Sequence, residues 1–508
     1  MIMKDKKQKK IKHQKLSPFR IMKESLTHEE IEKLDRYFYD FKLHCHMPKK
    51  ETHLLREDIE EALIYYKNSG VSLDEALRRL SNEKLGGFYA TPSTLWFALD
   101  DAAKIYPFSM QEGYMSVFRL AMNMKEPVVP ELLQMALNFT IKRFPSFATT
   151  LKKGVFWHYL DSTKRRFTVH EAKDIPCSPI PIWQSGSQSF RVLYYKNRIS
   201  VEFFHILTDG TGGVAFLRAL VAEYLRLLGY EGEADETLID ISDTPTKEEI
   251  TNEFAYVEKP KSSSGFMDKM SLQMSGNLAS TLPCRIIHLK MSTEALKAAA
   301  KKHNTTVTMY LLAIMFIATK AATEHMSGDI NIQLPVNMRK FYPSSTLRNF
   351  SMYTGIRLPI DEISTIDQLI PRISEQVLEK SSREAMSAMV AGTDKLVNSI
   401  KFIPLSIKNP VAKIIYGFLG EKVFTTTISN LGVITMPKGF AEHIQDMEFT
   451  LGASRTNKAS CTTITYNGIT TMTITKNTVS PIFEEKMCAL LEKEGLAPTV
   501  EGSPLYEY

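Results

Sequence analysis

The residues best suited to chemistry lie in Ser200-Val-Glu-Phe-Phe-His205-Ile-Leu-Thr-Asp209-Gly210-Thr-Gly-Gly213. His205 ends an apolar-rich run, and Asp209-Gly210 follows it across a short turn. An imidazole titrates near neutrality, so one fixed in place with its ring accessible can accept a proton and return it within a reaction cycle. The same ring also suits a plainer role, because a lone histidine beside apolar neighbours can be a core residue satisfied by hydrogen bonds. The His-x-x-x-Asp spacing occurs again at His170 and Asp174. There no glycine follows, and Ile175-Pro176 stands where a helix would open, so that copy reads as surface. His44-Cys45-His46, with His53 nearby, offers zinc-ligand residue types. One cluster without a second ligand pair at finger spacing reads more simply as loop histidines, and no metal is expected.

The elements around His205 are those needed to hold it. Two apolar-rich runs, 192–195 and 199–204, flank Lys196-Asn197-Arg198, which predicts a hairpin feeding the histidine. Beyond the turn, Phe216, Leu217, Leu220, Val221, Tyr224, Leu225 and Leu228 recur at the spacing of an amphipathic helix. Gly210, Gly212 and Gly213 suit sharp turns and close backbone approach.

Along the chain, residues 1–16 form a basic tail and 17–94 a charged, mostly helical extension. Leu26-Thr-His-Glu-Glu-Ile31 reads as a capped helix start and Ser72-Leu-Asp-Glu75 as a capping box. A first lobe is expected over 95–230, with a strand at 114–124, a helix opened by Pro127-Val-Val-Pro130 and a strand at 154–160. Residues 231–283, acidic and then Ser-rich at 262–265, read as a crossover. A second lobe over 284–508 opens with a strand at 285–291 and helices at 292 onward and 305–322. Strands follow at 331–339 and 424–428, the latter ending in Ser429-Asn430-Leu-Gly432. Asn467-Gly468 between two β-rich runs marks a tight hairpin, and a helix at 481–494 follows.

With 508 residues the chain is long enough for two or more lobes. Its net charge of +6 is mild and owes much to Lys4–Lys12, a run without the apolar core of a secretory signal. Five scattered cysteines without a CxxC pair suit a reducing, cytoplasmic setting. The most apolar run, 309–318, is too short to span a bilayer and reads as a buried helix. The stretch 400–418, apolar but broken by Lys401, Pro404, Lys408, Pro410 and Lys413, fits either a helix over a tunnel mouth or a weak membrane-surface contact. Nucleic acid is not an expected partner.

His205 to Gly210, set between a strand and a helix, resembles the active-site motif of the CoA-dependent acyltransferase superfamily, which includes chloramphenicol acetyltransferase and the alcohol acetyltransferases. Arg143-Phe-Pro145, the helix pair at 292–322, Pro335-Val-Asn-Met-Arg339 and Ile428-Ser-Asn-Leu-Gly432 support the resemblance over roughly 95–495. It is closest to bacterial alcohol acetyltransferase-like proteins. Condensation domains usually carry a second histidine directly before the motif, where this chain has Phe204; the late Asp-Phe-Gly-Trp-Gly of plant enzymes is absent.

The resemblance implies an α/β, two-lobed sandwich, each lobe a mixed β-sheet with flanking helices, and an active-site channel between them. It implies His205 as general base in direct transfer from acyl-CoA, a co-substrate and not a bound cofactor, to a hydroxyl or amine. Asp209, with Gly210, is implied to be structural, pairing with an arginine for which Arg339 is the candidate. Ser429 or Asn430 is the candidate oxyanion donor, although Ser429-Asn430 can equally be a turn capping its strand. Two other functions stay open: a condensation-type protein using carrier-bound thioesters, and a catalytically silent binding protein on the same fold.

Overall fold

The computed structural model describes residues 17–85, 95–104, 106–110, 114–163, 165–184, 187–260, 269–408, 422–454 and 457–506. The basic tail, the Ser-rich stretch at 262–265 and the apolar stretch from 409 onward lie outside them. Four helices come first: α1 (Pro18–Glu24), α2 (His28–His44), α3 (Lys49–Asn68) and α4 (Leu73–Arg79). Thr27 and Glu30 form a complete capping box at the start of α2. At α4 only half of one exists: Ser72 accepts from the Glu75 amide, while the Glu75 carboxylate turns to Arg78 and Arg79. Leu34, Phe38 and Phe41 of α2 and Ile59, Leu63 and Tyr66 of α3 fall on buried faces that join the first lobe's core. The extension is also tied down by polar contacts, Tyr66 to the Leu227 carbonyl at 2.7 Å and Lys84 to Glu223 at 2.7 Å.

The first lobe comprises β1 (Trp96–Ala98), α5 (Tyr106–Ser109), β2 (Val117–Met124), α6 (Pro130–Thr140), β3 (Thr149–Lys153), β4 (His158–Ser162), β5 (Val169–Glu171), β6 (Phe190–Tyr195), β7 (Arg198–Phe204) and α7 (Gly210–Leu228). The strand expected at 114–124 begins at Val117. The one expected at 154–160 begins at His158, because Gly154 to Trp157 make the β3–β4 turn, closed by Gly154 N–H donating to the Trp157 carbonyl. A side chain at Gly154 would meet that carbonyl at 2.6 Å.

The second lobe carries β8 (Arg285–Ser292), α8 (Thr293–Lys302), α9 (Val307–Ala321), β9 (Asp329–Asn337), β10 (Ser351–Pro359), α10 (Ile366–Lys380), α11 (Arg383–Ser399), β11 (Thr426–Ile434), β12 (Ile444–Leu451), β13 (Ala459–Tyr466), β14 (Ile469–Lys476), α12 (Ile482–Lys493) and β15 (Thr499–Gly502). Seven of these strands form one mixed sheet in the order β10-β9-β11-β13-β14-β8-β15. Helix α9 is apolar all round, and Tyr310 to Phe316 are fully buried, as such a helix requires. β13 and β14 turn on Asn467-Gly468, both at positive φ (46° and 78°), the combination a two-residue hairpin needs.

Two features depart from the expected layout. The five-stranded sheet runs β12-β2-β7-β6-β5, so β12, from the second half of the chain, crosses over and pairs antiparallel with β2. β11 does not end at Ser429-Asn430. It bulges between Asn430 and Val433 and continues beside β13 to Ile434, with Gly432 at φ 72° absorbing the bulge.

Candidate active site

His205 is set at the meeting point of the two lobes by the first sheet. β2 pairs with β7 from Asn123↔Arg198 to Val117↔Phe204, and one more bond, His205 N–H to the Ser116 carbonyl at 2.8 Å, fixes the histidine main chain. Beneath it Phe144, Phe147, Phe190, Phe203 and Phe216 pack ring against ring, with centroids 5.0–6.2 Å apart. Such pairs add about 0.5–1.5 kcal/mol each beyond the area they bury, so the platform is stiff.

The imidazole stacks on Tyr106, 5.0 Å between centroids and 20° between planes, and meets Phe118 at 5.3 Å, closer to edge-on. Part of the ring faces a cavity, yet protein surrounds it closely. Burial therefore pulls it below its ordinary value of 6.5, opposed by its own backbone carbonyl and the charge of Asp209. The ring is held neutral near pH 7. Nδ1 is its buried nitrogen and bonds to no other side chain. The cavity, about 420 Å³, is lined by Tyr106, Phe118 and His205 from the first lobe and by Gln333, Tyr353 and Ser429 from the second. Phe449 and Leu451 of the crossing strand β12 complete its wall.

Asp209 is the N-cap of α7, its Oδ1 accepting from Gly212 N–H at 3.1 Å. Its Oδ2 accepts from Arg339 Nη1 at 2.6 Å and from the Phe350 amide at 2.7 Å. The two side chains are 4% and 11% exposed, so this is a buried interlobe ion pair. Arg339 Nη2 donates in turn to the Thr346 and Arg348 carbonyls at 2.7 and 2.9 Å. That loop is held by Glu249, whose carbonyl accepts from Leu347 N–H at 2.8 Å. The Glu249 carboxylate is gripped by Arg143 through two bonds of 2.6 and 2.7 Å. The circuit thus runs from the first lobe through the crossover to the second and back to the turn that presents His205.

Gly210 and Gly212 allow this closeness. Neither lies at positive φ; what they supply is space. A Cβ at Gly210 would stand 2.4 Å from a Leu431 methyl, and one at Gly212 would stand 2.2 Å from the Leu347 carbonyl oxygen. Thr208 Oγ1 donates to that same carbonyl at 2.7 Å.

Ser429 and Asn430 of β11 both line the cavity. The Asn430 amide donates to Thr308 Oγ1 at 3.0 Å and its oxygen accepts from Gly432 N–H at 2.8 Å, so this side chain shapes the bulge. His170 lies exposed on β5, outside the cavity lining. His44, Cys45 and His46 end α2, and Cys45 Sγ bonds to Thr52. Among the described residues no group of three His, Cys, Asp or Glu could hold a metal ion.

Sequence reasoning missed Tyr106 and the Arg143–Glu249 grip. Tyr106 opens a helix of four residues with no periodicity to display, and the grip joins positions 106 residues apart.

A histidine presented into a cavity between two sheet-based lobes is the plan of the CoA-dependent acyltransferases with the chloramphenicol acetyltransferase-like fold. Three solved structures share the fold with this chain. Polyketide synthase associated protein 5 from Mycobacterium tuberculosis is 12% identical over 79% of this chain and 98% of its own, with a TM-score of 0.52. TRI3 trichothecene 15-O-acetyltransferase from Fusarium sporotrichioides is 11% identical over 77% and 93%, with a TM-score of 0.51. TRI101 from F. sporotrichioides, complexed with coenzyme A and T-2, is 13% identical over 80% and 99%, with a TM-score of 0.50. The alcohol acetyltransferase family model matches residues 179–494, more than half of the chain, and the chain belongs to that family. No curated protein matches the sequence.

Proposed function

We propose that the protein transfers an acyl group from acyl-CoA to a small alcohol or amine, with His205 as general base. The observation that carries this reading is an imidazole kept neutral by burial at the wall of the interlobe cavity. Since Nδ1 is the buried nitrogen, Nε2 is assigned as the base. It takes the proton of the acceptor hydroxyl as the oxygen attacks the thioester carbonyl. The tetrahedral intermediate then collapses, the C–S bond breaks and the thiolate recovers the proton from the imidazolium. General-base help of this kind is worth about 10²–10⁴ in rate. The Ser429 hydroxyl, at the cavity wall on the second lobe, is assigned to the oxyanion. Asp209 and Arg339 hold the turn and move no proton. The TRI101 structure, which contains coenzyme A and T-2, supports a cavity of this plan taking both substrates together.

The test is a panel of acyl-CoAs and alcohols followed by release of free thiol. Turnover with at least one pair, dependent on both substrates, is expected. Transfer from carrier-bound thioesters alone would replace CoA as the donor, and thiol release from neither would leave a binding protein.

A further inference from the structure

Of the chain's three tryptophans, Trp157 lies in the β3–β4 turn and Trp183 packs beside that turn on His158 and Lys153, while Trp96 packs on Tyr159 on the opposite face of the small sheet β1-β4-β3. Trp183 is 48% exposed, and at the β3–β4 turn and the loop after α11 Val155 (70%), Phe402 (77%) and Ile407 (58%) are bare as well. These apolar side chains form one surface. The Phe156 and Phe402 rings meet edge-on at 6.4 Å, and Leu405 N–H donates to the Val155 carbonyl at 2.9 Å, joining the loop after α11 to the β3–β4 turn.

Lysines are laid over the aromatic rings. The Lys408 ammonium sits 3.4 Å from the centre of a Trp157 ring, with Lys104 5.4 Å from it, and Lys153 lies 4.6 Å from Trp183. Lys104 is bound to Asp101 at 2.6 Å. Lys152, Lys153 and Lys401 are exposed and meet no carboxylate among the described residues, whereas Lys408 is buried and donates to the Phe156 carbonyl at 2.9 Å; Asp161 is the one acid on the three strands. Burial and the neighbouring Lys104 pull Lys408 down to about 8.

Contiguous exposed apolar side chains rimmed by polar groups commonly mark a contact site. Tryptophan favours the headgroup level of a bilayer, aliphatic tips favour the acyl boundary, and unpaired lysines favour anionic headgroups. We propose that this face docks the protein on an anionic lipid surface, with Val155, Phe402 and Ile407 entering the acyl boundary and the exposed Lys153 and Lys401 meeting headgroup phosphates. No described helix is long and apolar enough to cross a membrane, so the contact is peripheral. The face also adjoins the active site, because Lys104 lies two residues before Tyr106, which stacks on His205.

Full-length protein would be mixed with vesicles of phosphatidylcholine alone, or of phosphatidylcholine with phosphatidylglycerol, and followed by sedimentation and tryptophan emission. Association with the anionic vesicles at low salt, with a blue shift, is expected; Trp157 and Trp183 stand beside the patch and Trp96 does not, so the emission is read in a Trp96→Phe background. The double variant Val155→Asp/Phe402→Asp is expected to bind about tenfold more weakly and lose the blue shift. Its circular dichroism and its turnover of soluble substrates should not change. Failure of the unaltered protein to bind anionic vesicles would overturn the proposal. So would undiminished binding and blue shift in the variant, which would assign the contact to the basic tail or another face. The vesicle readout needs no turnover, so it stands or falls apart from the acyl-transfer reading.

Discussion

His205/Asp209 and His170/Asp174 share one spacing and almost nothing else. His205 ends a strand paired along its length with β2, whereas β5, which carries His170, pairs over three residues with β6 at the border of the sheet. Asp209 caps a helix of 19 residues and anchors a charge from the other lobe. Asp174 is exposed in a bend, with no helix after it. Both imidazoles lie below their ordinary value, His205 through burial and the surface His170 through partial shielding by its neighbours with Arg166 and Arg191 close by, but only His205 combines that with a cavity wall. Spacing is therefore a poor guide to chemistry, and what the segment runs into is a better one.

The comparison is broken most severely by removing the first histidine. His205→Ala is expected to lower kcat by about 10²–10⁴ in a thiol-release assay, with the circular dichroism spectrum kept. Gly212→Ala comes next. Its Cβ would press on the Leu347 carbonyl, a backbone atom already held by Thr208, so a loss of about 1–3 kcal/mol on thermal denaturation is expected. A smaller effect distinguishes the neutral base by pH. Burial defers protonation of His205 to below 6.5, so kcat/KM should hold its plateau through that pH. An ordinary histidine would by then have lost about half of its activity. A limb centred above that value would contradict the burial argument. The smallest effect belongs to His170→Ala, for which kcat and thermal midpoint should both stay at their unaltered values.

The local parts of this site could be read from sequence because their signals are local. The hairpin at Lys196-Asn197, helix α7 and the Asn467-Gly468 turn each follow from a few adjacent residues. The crossing of β12 was not legible, since its partner β2 lies more than 300 residues earlier and its pattern names no sheet. β11 was expected to end at Ser429 because Asn and Gly usually break strands; here Asn430 and Gly432 build a bulge instead. Arg339 could not have been matched to Asp209 by spacing, with 130 residues between them. That pairing was suggested by the family's habit. Tyr106 left no pattern at all, and of the exposed apolar face only the stretch 400–418 is legible, because the rest of that surface comes from the distant β3–β4 turn.

What sets the two histidine copies apart is the clamp, and a double-mutant cycle on Asp209 and Arg339 measures it most directly. Each change alone strands a buried charge, so Asp209→Asn and Arg339→Met should each cost about 3–5 kcal/mol by thermal denaturation, with activity falling in step. The double variant should recover part of that loss, because groups in contact do not add. Strictly additive losses would show that the ion pair does not hold the turn. A loss of kcat in Asp209→Asn at an unchanged thermal midpoint would make the aspartate a proton carrier and overturn the division of labour between it and His205.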